Sequence, residues 1–164
     1  LPLTPDQRAK MADGAKRAIL RLRRFQNLDG GWGWFTTDKS DLWMTAYATW
    51  GLILARDAGD AVDPDVLSGA TTRLTQMMAG ANIRATSDGR FTLATLALAS
   101  LDQHTIALKS LRRLRQQWAV HPEQADPTDL AMAAMAASRT GTEGTPLAQE
   151  FMKRLWSVCR VTGS

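Results

Sequence analysis

The chain has 164 residues, of which 45% are hydrophobic and 22% are charged, a composition typical of a folded domain rather than a disordered segment. One cysteine, Cys159, and two histidines, His104 and His121, exclude an internal disulfide and are too few for most zinc sites built from several Cys and His side chains. The net charge is +4, but the basic residues recur along helical faces, which favours solvated helices over nucleic-acid binding. No apolar run reaches the ~18 residues that a membrane span needs.

The first predicted helix begins at Pro5, after the N-cap Thr4, and runs to about Gln26. Its apolar residues recur at steps of four and three, which places them in one stripe; they are Met11, Ala15, Ala18, Leu22 and Phe25. The other faces are rich in lysine and arginine. The pattern predicts an amphipathic helix with one wet side.

The second predicted helix, residues 42–58, differs because it is apolar on almost every face until Arg56. A helix that is apolar all round is buried all round, and this one is too short to cross a membrane. The remaining helices repeat the alternation. Amphipathic helices are predicted at 64–78, 104–118 and 145–158, and helices buried on nearly all faces at 91–100 and 128–138.

This alternation of outer and inner helices, with steps of roughly 40 to 60 residues, predicts an all-α fold of stacked helical hairpins. An open solenoid and a closed α/α toroid both fit, and the fully surrounded inner layer favours the toroid. About seven helices make an incomplete ring. We therefore expect residues 1–164 to be a single α/α toroid domain, or a fragment of one, excised from a larger protein.

The segment from Phe25 to Tyr47 is the most informative part of the chain. Gly30 and Gly31 are predicted to end the first helix. Trp32 and Trp34 are predicted to lie on the same side of the chain as apolar wedges, and Ser40 or Asp41 to cap the next helix. The alternative is an aromatic ligand site formed by Trp32, Trp34 and Phe35.

These residues also carry a family resemblance. Gln26, Gly30 and Trp32 have the spacing of the QW motif of triterpene cyclases, whose fold is an α/α toroid. A longer string resembles the thioester-containing domain of the α2-macroglobulin and complement superfamily, especially its bacterial members, over roughly residues 3–60. The motif residues are Gln26, Asp29, Gly30, Gly31, Trp32, Trp34, Ser40, Thr45, Ala46 and Tyr47.

The resemblance implies a non-enzymatic domain of a large periplasmic or secreted protein that acts in host defence or protease inhibition. In that family a Cys-x-Glu-Gln motif forms an internal thioester, which captures a nucleophile of the target covalently. This chain lacks the motif, because Cys159 is followed by Arg160 and Val161; we expect it upstream of Leu1. The implied partners are other domains of the parent protein and target proteases, without cofactor or nucleic acid.

Some family members place a histidine that assists acyl transfer before the second buried helix. The matching stretch, residues 76–91, contains none. This departure favours amine-directed capture, or a domain without a thioester, over histidine-assisted capture of hydroxyl groups.

Other groups of residues favour structural explanations. Asp57, Asp60, Asp63 and Asp65 are close in sequence, but their spacing is not that of a calcium-binding loop, and Asp63-Pro64 is typical of a helix start. Residues 126–129 resemble the acidic motif of terpene cyclases without its paired aspartates. Cys159 is predicted to be a packed thiol.

Two rival functions therefore stay open. One is a fragment of a terpenoid cyclase or prenyltransferase-like enzyme, and the other is a helical-repeat interaction module with a basic outer face. We predict no catalytic, cofactor-binding or metal-binding residue in the chain.

Overall fold

The computed structural model describes residues 4–35, 37–80 and 89–161, with the side chains of 160 and 161 excepted. Over these ranges the chain is helical and contains no strand, which confirms the all-α prediction. None of the described helices is both long enough and apolar enough to span a membrane. The described residues form seven α-helices: α1 Pro5–Phe25, α2 Leu42–Asp57, α3 Pro64–Gly80, α4 Arg90–Ala99, α5 His104–Val120, α6 Pro127–Ser138 and α7 Thr145–Val161.

Side-chain caps explain where several of these helices begin. The Thr4 hydroxyl accepts a hydrogen bond from the backbone N–H of Gln7 (3.2 Å), and the Gln7 side chain accepts one from the N–H of Thr4 (2.9 Å). Asp41 caps α2 and Asp126 caps α6. These caps satisfy N–H groups that have no partner within the helix. The predicted N-cap Thr4 is confirmed, and of the two caps predicted for α2, Ser40 and Asp41, the structure has Asp41.

The helices form two layers. α2, α4 and α6 are neighbours in an inner layer, and α1, α3, α5 and α7 lie outside it. α4 shows the contrast most clearly, because every side chain from Phe91 to Ala99 is buried, whereas α1 has no buried residue. The predicted alternation of inner and outer helices is confirmed.

The core is formed where the apolar stripes of the outer helices meet the inner layer. Between α5 and α7, the rings of Trp118 and Phe151 pack edge to face with centroids 5.6 Å apart, an arrangement favoured by the charge distribution of aromatic rings. The stripes predicted for α3 and α5 are confirmed. Their buried residues include Val66, Leu67, Ala70, Leu74, Met78, Ala107, Leu111, Leu114 and Trp118.

The predicted stripe of α1 is largely wrong. Met11 is 61% exposed and Phe25 43% exposed, and the side chains that do pack against the core are Ile19 and Leu22. The periodicity identifies the apolar face of a helix, but burial also requires a neighbouring element along the whole length of that face.

A similar correction applies to the last turn of α7. Leu147 and Phe151 are buried, but Val158 is 36% exposed. Cys159 is exposed as well, so the prediction of a packed thiol is wrong. The last turn of α7 extends past the side chains that bury its first half.

Candidate functional site

Gln26 ties the segment after α1 to the beginning of α3. α1 ends at Phe25, and Gln26 has an extended backbone. Its side-chain amide Nε2 donates hydrogen bonds to the carbonyl oxygens of Gly30 (2.8 Å) and Val66 (2.9 Å). One side chain therefore satisfies a loop carbonyl and a carbonyl of α3 at the same time.

Gly30 lies in a tight turn that touches α3. The N–H of Gly30 donates to the carbonyl of Asn27 (2.9 Å), and the N–H of Asn27 donates to that of Gly31 (2.8 Å). The prediction that Gly30 and Gly31 end the first helix is wrong, because α1 ends before this turn. Gly30 has φ +85°, and a Cβ added there would lie 2.3 Å from the carbonyl oxygen of Gly69. This backbone approach requires glycine.

Trp32 lies between α1 and α2 and is 3% exposed. Its indole Nε1 donates to the carbonyl of Leu22 (2.8 Å). Its backbone N–H donates to the hydroxyl of Thr45 (3.0 Å), and that hydroxyl in turn donates to the carbonyl oxygen of Trp32 (3.3 Å). Thr45 and Ala46 are fully buried. Trp32 is therefore an apolar wedge with its polar groups satisfied.

Trp34 does not share this environment. It is 64% exposed and Phe35 is 75% exposed, so the prediction that Trp32 and Trp34 lie on one side is wrong. The chain turns at this point, because Phe35 and Asp38 exchange hydrogen bonds of 3.1 and 3.2 Å. The three rings of Trp32, Trp34 and Phe35 therefore do not line a common site.

Tyr47 is also outside this core. Its side chain is 62% exposed. Its ring stacks on that of Trp43, with centroids 6.2 Å apart and an interplanar angle of 18°. Tyr47 therefore lies on the solvent-facing side of α2, opposite in environment to its neighbour Ala46.

Asp29 links the segment to both α3 and the turn before α2. Its Oδ1 accepts hydrogen bonds from the Ser40 hydroxyl (2.5 Å) and the Gly31 N–H (3.0 Å), and its Oδ2 lies 3.1 Å from Nε of Arg73. Burial acts to raise the pKa of Asp29. The Ser40 hydroxyl, the Gly31 N–H and the Arg73 guanidinium together outweigh burial and hold that pKa below its ordinary value of 3.8.

The sequence did not reveal the partners of these motif residues. Gly69 had a signal, because a glycine inside a helix is about 1 kcal/mol less favourable than alanine and so suggests a packing reason. Leu22, Val66 and Arg73 had none, since a backbone carbonyl or a surface arginine can have many partners. The ten motif residues thus divide into an interlocked group and two exposed aromatic side chains, Trp34 and Tyr47.

The interlocked group joins α1, α2 and α3, and its polar atoms bond mainly to one another and to backbone groups. Such contacts stabilise the packing of the three helices against one another.

Among the described residues, no three His, Cys, Asp or Glu side chains are placed to hold a metal ion. Asp57 pairs with Arg56, and Asp63 with Arg23. Of the stretch matched to the assisting histidine, residues 81–88 lie outside the described residues.

Comparisons with known proteins point to one family. No protein-family model matches the sequence. The chain is 42% identical over 52 residues to an alpha-2-macroglobulin from Thermotoga maritima, and this match covers 32% of the chain and 3% of that relative.

Two solved structures share the fold. A crystal structure of native Escherichia coli alpha-2-macroglobulin, from domain MG7 to the C-terminus, matches with a TM-score of 0.67 and 23% identity over 92% of this chain and 25% of that one. A cryo-EM reconstruction of the native E. coli protein matches with a TM-score of 0.63 and 24% identity over 91% of this chain and 10% of that one. The chain thus has the fold of a region of Escherichia coli alpha-2-macroglobulin, and the predicted resemblance to the alpha-2-macroglobulin family is confirmed.

Proposed function

We propose that this chain is a non-catalytic scaffold domain of a larger protease-trapping protein, equivalent to the thioester-containing domain that its sequence resembles. The observation that carries the proposal is the shared fold with E. coli alpha-2-macroglobulin over 92% of the chain. The Thermotoga maritima match, at 42% identity over 52 residues, supports it independently. Residues 1–164 are then one helical domain, or part of one, within that protein.

The interlocked group supports a scaffold role. Gln26, Gly30 and Trp32 fix the packing of three helices through backbone contacts, and their polar atoms are directed inward rather than towards a ligand. The sequence contains no Cys-x-Glu-Gln, so any acyl group that captures a target comes from elsewhere in the parent protein. The proposed partners are the parent's other domains and target proteases, in a periplasmic or secreted setting, without nucleic acid or cofactor.

The absence of covalent capture by the chain itself can be tested by mass spectrometry. The purified chain is incubated with methylamine, with a protease and with a polyprenyl substrate. We expect an unchanged intact mass and no product. A methylamine or protease adduct contradicts the scaffold assignment, and turnover of the polyprenyl substrate favours the cyclase-like alternative.

The trapping role can be tested in the full-length protein that contains this chain. A trapped protease should keep its activity on a small peptide substrate and lose it on a large protein substrate. Gly30→Val, which drives a side chain into the Gly69 carbonyl, should abolish this difference. Gly14→Val is the matched control, because it introduces the same side chain where a Cβ meets no atom within 4 Å. Unchanged trapping by the Gly30→Val protein rejects the proposal, provided that the same substitution unfolds the isolated chain.

A further inference from the structure

Among the described helices, α1 carries the largest net positive charge, ahead of α5 with its four basic and no acidic residues. α1 contains seven basic and two acidic residues, a net charge of +5, while the whole chain carries +4. All other residues together therefore have a net charge of −1. Because no residue of α1 is buried, this charge is presented to the surroundings.

Within α1, the cations surround an exposed leucine. Leu20 is 58% exposed, and side chains three and four positions away are its neighbours on the helix surface. All four of these neighbours are basic: Lys16, Arg17, Arg23 and Arg24. A solvated helix face does not require a large apolar side chain at the centre of its charges.

Leu20 also lines a cavity of about 60 Å³ between α1, α2 and the start of α3. One water needs about 10–15 Å³ measured in this way, so the cavity has room for a small aliphatic side chain. Most of its lining residues are apolar, and the two charged ones, Arg23 and Asp63, form an ion pair of 3.1 Å. The lining residues are Ile19, Leu20, Arg23, Leu52, Ala61, Val62, Asp63 and Val66.

Two of the four cations remain available for a partner. Arg23 pairs with Asp63, and Arg17 pairs with Asp13. Among the described residues, Lys16 and Arg24 form no ion pair with a carboxylate, and both are exposed. They flank Leu20 at positions i−4 and i+4, so they lie on either side of it along the helix axis.

We propose that this surface, formed by Lys16, Leu20, Arg23, Arg24 and the adjoining cavity, binds an acidic polypeptide segment that inserts one aliphatic side chain. Complementary charge steers such a segment to α1, and burial of its aliphatic side chain in the cavity supplies an anchor of the kind that dominates interfaces. A flat anionic membrane engages the cations but leaves the concave cavity empty, so the combination of features favours a polypeptide. The surface shares no residue with the motif that supports the proposed function.

The test uses the purified 164-residue chain and two fluorescent peptides. One has a central leucine between two pairs of glutamates, and the other has serine in place of the leucine. We expect the leucine peptide to bind about tenfold more tightly, which corresponds to burial of one aliphatic side chain. Both affinities should fall when salt is raised from about 50 to about 500 mM, because salt screens exposed charges.

Matched charge reversals localise the binding. The double variant K16E/R24E should weaken binding of the leucine peptide at least about tenfold, and L20S should remove most of the difference between the peptides. The control K109E/R113E makes the same charge change on α5, where both residues are exposed, and should leave binding within about twofold, because the reversed charges lie away from the cavity. Circular dichroism checks that each variant is folded.

Three outcomes overturn the proposal. The first is equal affinity for the leucine and serine peptides, and the second is equal weakening of binding by K16E/R24E and K109E/R113E. The third is binding of the chain to phosphatidylglycerol vesicles, together with equal affinity for the two peptides. The last result assigns the surface to a membrane instead. Because the proposed trapping role is tested with Gly30→Val in the parent protein, failure of either proposal leaves the other measurable.

Discussion

Two glycines of this chain have the same left-handed backbone in different surroundings. Gly30 has φ +85° and touches Gly69, whereas Gly59 has φ +92° and no atom within 4 Å of an added Cβ. Gly59→Ala should cost about 1–2 kcal/mol, because an L-residue is strained in this region. Gly30→Ala should cost about 1–3 kcal/mol more from the clash. Urea unfolding measures both, and equal costs contradict the Gly30–Gly69 contact.

Trp32 and Trp34 provide a second matched pair, two positions apart. Trp32→Ala should destabilise the protein by about 3–5 kcal/mol, as expected for a large aromatic residue removed from a core. Trp34→Ala should change stability by less than about 0.5 kcal/mol, because the side chain is 64% exposed. Urea unfolding of the two variants decides the assignment, and similar losses indicate that Trp34 packs against the fold.

Asp29 should make the stability of the protein depend on pH. Its folded-state pKa lies below the ordinary 3.8, so its contribution is present above pH 3.8 and is lost as pH falls through the folded-state value. Asp29→Asn should therefore destabilise the protein at pH 7 and have a smaller effect near pH 3. Urea unfolding at both pH values measures this, and a pH-independent loss shows that the carboxylate charge is not responsible.

Single residues were predictable where their role is local. Thr4 and Asp41 cap helices because a side-chain oxygen can reach the N–H groups next to it in sequence. The contact of Gly30 with Gly69 spans 39 positions, and only the isolated helical glycine hinted at it. Trp34 was misplaced because strict alternation assumes a straight segment, and the hydrogen bonds between Phe35 and Asp38 bend it.

The inner helices α2 and α6 each begin at a capping aspartate, which allows a prediction at the scale of an element. Asp126→Ala should cost about 0.5–2 kcal/mol, because the N–H of Asp129 loses its acceptor. Asp65→Ala removes a carboxylate from the first turn of α3 and should cost less, because it loses only the smaller interaction with the helix dipole. Thermal unfolding compares them, and a loss for Asp126→Ala no larger than that for Asp65→Ala argues against the cap.

Elements as a whole were more predictable than their burial. The predicted and observed helices agree to within about three residues at each end, because hydrophobic periodicity and prolines mark them strongly. Burial was harder to predict: Met11 and Val158 both lie on predicted apolar stripes, yet both are exposed. A stripe of apolar residues reports what a helix can bury, and the neighbours that bury it are distant in sequence.

At the scale of the whole molecule, the layered arrangement followed from one contrast. Helices apolar on all faces have to be surrounded, and amphipathic helices have to lie at a surface. This contrast predicted α4 as an inner helix and α1 as an outer one, as observed. It did not predict the cavity beside Leu20, because a cavity depends on how side chains of three elements meet.

The contrast between buried inner helices and exposed outer helices also predicts the order in which the helices unfold locally, which native-state hydrogen exchange measures. The amides of α4 should exchange only through global unfolding, because all of its side chains from Phe91 to Ala99 are buried. The amides of α1 should exchange with a lower free energy, since none of its residues is buried. Within α1, the turn containing Ile19 and Leu22 should be better protected than the turn around Met11, because only the former packs against the core. Equal protection of the amides of α1 and α4 shows instead that the hydrogen bonds of Gln26 and Trp32 make α1 unfold together with the rest of the protein.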